Sequence, residues 1–310
     1  MTYKEWLSEW LALYIKPLKH RTYERYKDIC NLHIIGQLGD YELDELTPLV
    51  LQKHVNDLMA HGNRRNGGAL SANFVNGIIT VIQSSLKRAN ELGYASTYHA
   101  GAIQRPKAEE NVVKCFSVKE QKAIEKAVLD APKRKMLGVV VALYTGVRIG
   151  ELLSLTCSAV DMQKRTITVK TTCYESKDEN GKYVKMTDST KSHRTRVIPF
   201  PKQLLPIFKE LKAQSKSGYL IENSKGEQMS VRSYQRSFEL LVEKLGISRL
   251  SFHALRHTFA TRALESGMDI KTLSEVLGHK SATVTLNRYA HSLMEHKQNA
   301  MDKFGALLTK

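Results

Sequence analysis

The residues of this chain best equipped for chemistry lie in its last third. Ser251-Phe252-His253-Ala254-Leu255-Arg256-His257 is followed by Leu277-Gly278-His279 and then by Tyr289. Upstream, Thr145-Gly146-Val147-Arg148-Ile149-Gly150-Glu151-Leu152 supplies a second guanidinium. Two arginines can grip two non-bridging phosphate oxygens with planar forks that stay charged. A tyrosine hydroxyl can attack phosphorus and hold it covalently. That set suits a phosphodiester better than a carbonyl or a sugar. His253 and Arg256 stand three apart, so a helix puts them on one face. Ser251 is placed to cap that helix, and a helix start favours an anion. Taken singly, each residue has a plainer role. A tyrosine on a helix is ordinarily packing, Arg148 can pair with Glu151 as a salt bridge, and a histidine in a turn is ordinarily solvated.

Helices must position most of these groups. In the first hundred residues Trp6, Leu7, Trp10, Leu11, Leu13 and Tyr14 recur at helical spacing. A second helix is expected from about Thr22 to His33. Thr47 followed by Pro48 marks the start of a third, ending at Gly62. Ser71 opens a fourth, with Phe74, Val75, Ile78, Ile79, Ile82 and Leu86 on its apolar side and an end near Gly93. Four such helices make a small bundle. Residues 95–113 lack periodicity and read as an interdomain linker.

Ser117-Val118-Lys119-Glu120 is a capping box that opens the next helix. Residues 133–144 read as a buried helix, although the valine run also suits a strand. Gly146 breaks the chain, and Arg148 starts another helix. Residues 166–169 alternate like a strand, Asn180-Gly181 marks a hairpin turn, and Arg196-Val197-Ile198-Pro199 reads as a returning strand. The remainder is helical. The expected fold class is mainly α with a small β-sheet and hairpin: a helical bundle over 1–100, a linker over 101–113 and a mixed α/β domain over 114–310. Leu293, Met294, Met301, Phe304, Leu307 and Leu308 form an amphipathic tail helix at its end.

The chain carries 47 Lys+Arg against 31 Asp+Glu, a net charge of +16. Residues 1–110 hold 13 basic and 12 acidic side chains, so the excess belongs almost wholly to the part that contains the arginine and tyrosine motifs. Such a field points to a polyanion, usually nucleic acid. Cys30, Cys115, Cys157 and Cys173 form no C-x-x-C pair and read as reduced packing thiols. No apolar run is long enough to span a membrane, and Met1 leads into a charged amphipathic helix rather than a signal peptide. A cytoplasmic, nucleoid-associated location is expected. No metal is expected either: His253 and His257 lack a third ligand and flank Arg256, a poor neighbour for a cation. The absence of an acidic cluster argues against a two-metal mechanism, and no Gly-rich phosphate loop signals a nucleotide cofactor.

With Arg148, Lys191, His253, Arg256, His279 and Tyr289 in this order, the chain resembles the tyrosine recombinase (phage integrase) family. T-G-x-R-x-x-E-L is present as Thr145 to Leu152, H-x-L-R-H as His253 to His257, and L-G-H as Leu277 to His279. Thr285-Leu286-Asn287-Arg288-Tyr289-Ala290-His291 looks like the tyrosine box, ten residues after His279. The likeness covers about residues 113–295 strongly. It extends more loosely over the bundle, which looks like a core-type DNA-binding domain, and the bundle and hairpin look similar to those of conjugative-transposon and phage integrases.

The resemblance implies a site-specific recombinase that cleaves and rejoins DNA through a 3′-phosphotyrosyl link and exchanges strands via a Holliday junction. Integration or excision of a mobile element is the expected setting. It makes Tyr289 the nucleophile, Arg148 and Arg256 the phosphate clamp, and His279 a donor to the scissile phosphate. His253 would assist proton transfer with Tyr289, and His257 is left to packing or orientation. Lys191 becomes the general acid for the leaving 5′-oxygen, with Lys185 its rival and Lys170 and Lys182 weaker ones. Implied partners are double-stranded DNA core or attachment sites, three further copies in a tetramer joined by tail exchange, and an accessory DNA-bending or excision factor. The two domains would form a C-shaped clamp on the duplex. Arg64, Arg65, Lys87, Arg88, Arg105, Lys107 and Arg194 are the candidate DNA contacts. Two rivals stand beside this reading: a type IB topoisomerase-like enzyme, and a regulator that binds DNA through a helix-turn-helix over residues 270–289.

Overall fold

The computed structural model describes residues 1–108, 113–130, 133–178, 181–189 and 195–289, together with 301, 302, 304, 305 and 308; for Lys177 and Ser189 it describes the backbone alone. The chain divides into two compact units, Met1–Asn111 and Val112–Lys310.

In the first unit, α1 (Tyr3–Trp10) starts from a reciprocal cap: the Glu5 amide donates to Thr2 Oγ1 and the Thr2 amide to the Glu5 carboxylate. Trp6, Leu7 and Trp10 are buried. The helix runs on as a π-turn over Leu11–Ile15. A π-turn advances fewer degrees per residue than an α-turn, so Leu13, grouped with the tryptophans by helical spacing, is turned out to solvent. α2 (His20–Ile29) continues in the same way through Cys30–Ile34, ahead of the short α3 (Ile35–Leu38). Thr47 caps α4 (Pro48–His61), and Ser71 caps α5 (Ala72–Glu91). Val75, Ile78, Ile79, Ile82 and Leu86 form the buried stripe of α5, whereas Phe74 stays at the surface against the His33 ring. Tyr3 and Trp6 tie α1 to α5, through the Tyr3 hydroxyl and Ser85 Oγ at 2.7 Å and the indole N–H donating to the Ser85 carbonyl at 2.9 Å.

Residues 95–106, which composition reads as part of a linker, are fastened to this unit. Ala95, Ala100 and Ile103 are buried in its core. Arg105 donates to the Asn76 carbonyl and to Gln83 Oε1, and Asn76 donates to the Pro106 carbonyl. Polar side chains and three scattered apolar residues do this work, so no helical period marks it.

The second unit begins with α6 (Val118–Asp130), capped by the Ser117–Glu120 pair. α7 (Leu137–Thr145) is buried from Leu137 through Leu143. A helix buried on all sides carries no amphipathic stripe, which is why its valine run suited a strand equally well. After α8 (Ile149–Ser154), the described residues form the short strands β1 (Val160–Asp161), β2 (Thr166–Val169), β3 (Thr171–Lys177), β4 (Tyr183–Ser189) and β5 (Arg196–Pro199). One antiparallel sheet has the order β1-β2-β5, with Ile167 opposite Ile198; β3 and β4 form a separate hairpin with Tyr174 opposite Met186. The strand that returns from the turn at Gly181 is therefore β4, while Arg196–Pro199 closes on β2. Among the described residues up to Tyr289 there follow α9 (Leu205–Ala213), α10 (Val231–Lys244), α11 (His253–Glu265), α12 (Ile270–Leu277) and α13 (Ala282–Tyr289). Val139, Leu143, Leu152, Ile167, Phe208 and Phe238 lie in its main core, and α11 packs directly on α7. Of the expected tail helix, Leu293, Met294 and Leu307 lie outside the described residues; Met301, Phe304 and Leu308 are exposed.

Candidate active site

Arg148 is set by the break between α7 and α8. Gly146 caps α7 in the left-handed region at φ 63°, and Arg148 is the N-cap residue of α8. Glu151, in the first turn, accepts the Arg148 amide at 2.8 Å and its Nη1 at 2.9 Å. Arg196 on β5 reaches the same carboxylate with Nη1 at 2.9 Å and Nη2 at 2.6 Å, while its Nε donates to the Val276 carbonyl. Glu151 is 2% exposed, and the Arg148 side chain 39%. Burial acts to raise the Glu151 carboxyl, but the hydrogen bonds and charge of Arg196 and the charge of Arg148 prevail and hold it near 2. Arg196 thus supplies most of the neutralisation, and Arg148 keeps part of its fork open.

Arg256 is the buried member of the pair, at 2% exposure. Its Nη1 donates to the Gly146 carbonyl at 2.8 Å and its Nη2 to the Leu277 carbonyl at 2.7 Å. Burial, followed by the charge of Arg148, lowers its pKa to about 9, so it remains a cation at neutral pH. Gly278 ends α12 in the left-handed region and delivers His279 beside it. His279 Nε2 lies 3.0 Å from Arg256 Nη2, and Nδ1 lies 2.8 Å from Thr285 Oγ1. An arginine can only donate, so Nε2 accepts and the ring is neutral with its proton on Nδ1. Burial and the charges of Arg256 and Arg148 lower His279 to about 4, in keeping with that form.

Tyr289 closes α13 and is 3% exposed. Its hydroxyl lies 2.8 Å from His257 Nδ1. His253, one turn earlier on α11, meets the His257 ring edge-on with centroids 4.6 Å apart. The resemblance pairs Tyr289 with His253, whereas the described hydrogen bond goes to His257. A residue at the first position of α11 sits at the rim with its ring exposed, and the one four further along reaches inward to α13.

Arg148, His253, Arg256, His279 and Tyr289 are therefore brought together, with Glu151, Arg196, His257 and Thr285 holding them. Nothing local in the sequence connects Arg196 to Glu151, 45 residues away, or His257 to Tyr289, 32 residues away. Lys191 and Arg194 lie outside the described residues. The rival Lys185, on β4, donates to the Gln228 carbonyl at 2.7 Å. Among the DNA-contact candidates, Arg64, Arg65 and Lys107 are exposed. Lys87 and Arg88 both approach Glu91, and Arg88 also lies over the Tyr14 ring. Arg105 is occupied on α5. A cleft of about 480 Å³ between Lys133, Lys135, Lys185 and Ser230 takes in the rival Lys185 but none of Arg148, His253, Arg256, His279 and Tyr289. Among the described residues no three His, Cys, Asp or Glu side chains converge as a metal site, and no helix is long and apolar enough to cross a membrane.

Residues 114–296 match the phage integrase family, and residues 2–59 match the phage integrase N-terminal SAM-like domain. Among curated proteins, the chain is similar to a tyrosine recombinase XerC-like protein of Caldanaerobacter subterraneus subsp. tengcongensis, 27% identical over 97% of this chain and 81% of that protein. Among solved structures, the Tn1549 transposon integrase in complex with a circular intermediate DNA aligns with a TM-score of 0.82 at 21% identity, covering 98% of this chain and 99% of that one. A lambda integrase tetramer bound to a Holliday junction aligns at 0.72 and 20% identity, over 91% and 79% respectively. At these identities the structural matches establish the fold.

Proposed function

The chain belongs to the phage integrase family of tyrosine recombinases, enzymes that break and rejoin DNA strands, and we propose that it does so through Tyr289. The observation that carries this reading is a set of three neighbouring hydrogen-bonded groups. Arg196 and Arg148 share Glu151, Arg256 joins the Gly146 carbonyl to His279, and Tyr289 is held by the residue next to Arg256.

In this reading the Tyr289 oxygen attacks a phosphodiester, forms a 3′-phosphotyrosyl bond and releases a 5′-hydroxyl. The bond energy is kept in the ester, so resealing needs no ATP. Arg148 and Arg256 stabilise the charge that grows on the equatorial oxygens, an effect of about 3–4 kcal/mol per preorganised donor. An arriving phosphate would take over the Nη2 hydrogen of Arg256 now given to His279. The anion would also favour protonation of that imidazole, which then donates to phosphate. Lys191 is the proposed acid for the 5′-oxygen.

The substrate is double-stranded DNA at core or attachment sites, and four copies exchange strands through a Holliday junction. The likeness to a transposon integrase supports integration or excision of a mobile element; an accessory DNA-bending or excision factor and a place at the nucleoid belong to the same proposal. Residues 1–100 serve as the DNA-binding bundle, residues 101–106 are fastened to it, and the linker is confined to 107–113. Arg64, Arg65, Lys87, Arg88, Arg105, Lys107 and Arg194 are DNA contacts, and the tail after Tyr289 docks on a neighbouring copy. Residues 270–289 do form two helices around Gly278, but a buried tyrosine wired to the arginine helix favours catalysis over regulation.

Covalent trapping on nicked DNA carrying a candidate attachment site tests this. The wild type should give a protein–DNA adduct and Tyr289→Phe none. Tight binding by the wild type without an adduct would argue for a regulator.

A further inference from the structure

The nucleophile's own neighbour is His257. The Tyr289 hydroxyl lies 2.8 Å from its Nδ1, inside the range a general base requires, and the phenol is almost wholly enclosed. Resting on the reading that Tyr289 is the nucleophile, we propose that His257 is a catalytic residue whose Nδ1 takes the phenol proton during attack.

The charge states fit that role. Burial first, then His253, Arg288, Arg256 and His279, lower His257 to about 4, so at neutral pH its ring carries a free lone pair. Burial raises the Tyr289 phenol, against the opposing pull of Arg256, Arg288 and Arg148 and with a small push from Cys115. It is therefore a hydroxyl that needs a base. His253 meets the His257 ring edge-on, with centroids 4.6 Å apart.

The step balances. As the Tyr289 O–P bond forms and the P–O5′ bond breaks, the phenol O–H bond breaks and an Nδ1–H bond forms. The leaving 5′-oxygen takes its proton from a separate acid, the role given to Lys191. The new imidazolium lies near Arg256 and Arg288, which disfavour it, but the negative charge gained by the pentacoordinate phosphorus group offsets that cost. In religation the 5′-hydroxyl attacks, and Nδ1 returns the proton to Tyr289.

His257→Asn separates basicity from placement. The asparagine Oδ1 can sit near the former Nδ1 and accept the phenol hydrogen bond, but it cannot hold a proton in this pH range. Single-turnover trapping of the full chain on nicked DNA, from about pH 6 to about pH 9, reads the difference. The wild-type rate should be flat with pH. The asparagine variant should bind DNA as the wild type does and form adduct about 10²–10⁴-fold more slowly. Its rate should climb with pH, because hydroxide must then remove the proton. If that variant does not fold, His257→Gln takes its place. Wild-type rate and pH profile in the variant overturn the proposal, and a faster variant makes the pair a restraint on Tyr289 rather than a base. No adduct from the wild type defeats the nucleophile reading itself, a result distinct from either.

Discussion

Three imidazoles, His253, His257 and His279, are each held neutral at this site, first by burial and then by the charges around them. His257 and His279 stand near 4 in the folded protein against 6.5 for an ordinary histidine, through burial and then neighbouring cationic or ionisable groups. His253 is shifted in the same direction, by the protein packed behind it and then by Arg256, Arg288 and Arg148. The linkage has a definite sign. Between pH 6.5 and 4 the unfolded chain binds protons that the folded chain refuses, so stability is complete above 6.5 and lost as pH falls. Glu151, held near 2 against 4.5, contributes its loss only below 4.5. The interval from 6.5 to 4.5 therefore isolates the histidines. The unfolding midpoint should fall across it, and His257→Gln/His279→Gln should flatten that slope; an equal slope in both proteins would mean that these rings do not set it. Phosphate, which favours protonated His279, should shift the wild-type curve toward lower pH.

At the scale of elements, the site depends on where helices stop. Gly146 ends α7 with φ 63°, and its carbonyl is one of the two that orient Arg256. A methyl group there would collide with the Phe259 ring and meet Leu277 at 2.9 Å, whereas one on Gly181, at φ 76°, would meet nothing. Alanine in the left-handed region costs about 1 kcal/mol, and overpacking adds about 1–3 kcal/mol. Gly181→Ala should thus lose about 1 kcal/mol in denaturant titration, and Gly146→Ala about 2–4 kcal/mol, with adduct formation impaired beyond the change in folded fraction. Equal losses at the two positions would show that backbone strain alone operates. The β5 strand plays a matching part. Pairing with β2 places Arg196 where it can neutralise Glu151, and α12 secures it through the Val276 carbonyl.

For the molecule as a whole, charge separates the two units. Residues 1–110 are almost neutral, with 13 basic and 12 acidic side chains, so nearly all of the +16 lies beyond them. DNA binding should weaken steeply with salt, by about 0.9 in logarithmic slope for each phosphate neutralised. Arg64 and Arg65 are exposed, and no described ion pair engages them. Replacing both with alanine should lower the slope by about 1.8 if each meets a phosphate; an unchanged slope would remove them from the interface. Motif order, helix caps and left-handed glycines are local properties of the chain, and the family, the fold class and the residue types of the site were legible from them. The sequence read Arg148 with Glu151 as readily as an ordinary salt bridge, and left the valine run of α7 open between helix and strand. Three features came only with the folded chain: Arg196 shares Glu151, residues 95–106 are fastened to the bundle, and Tyr289 hydrogen-bonds to His257. Each of these joins groups far apart in sequence, by hydrogen bonds across packed elements, and no periodicity or spacing along the chain encodes such a contact.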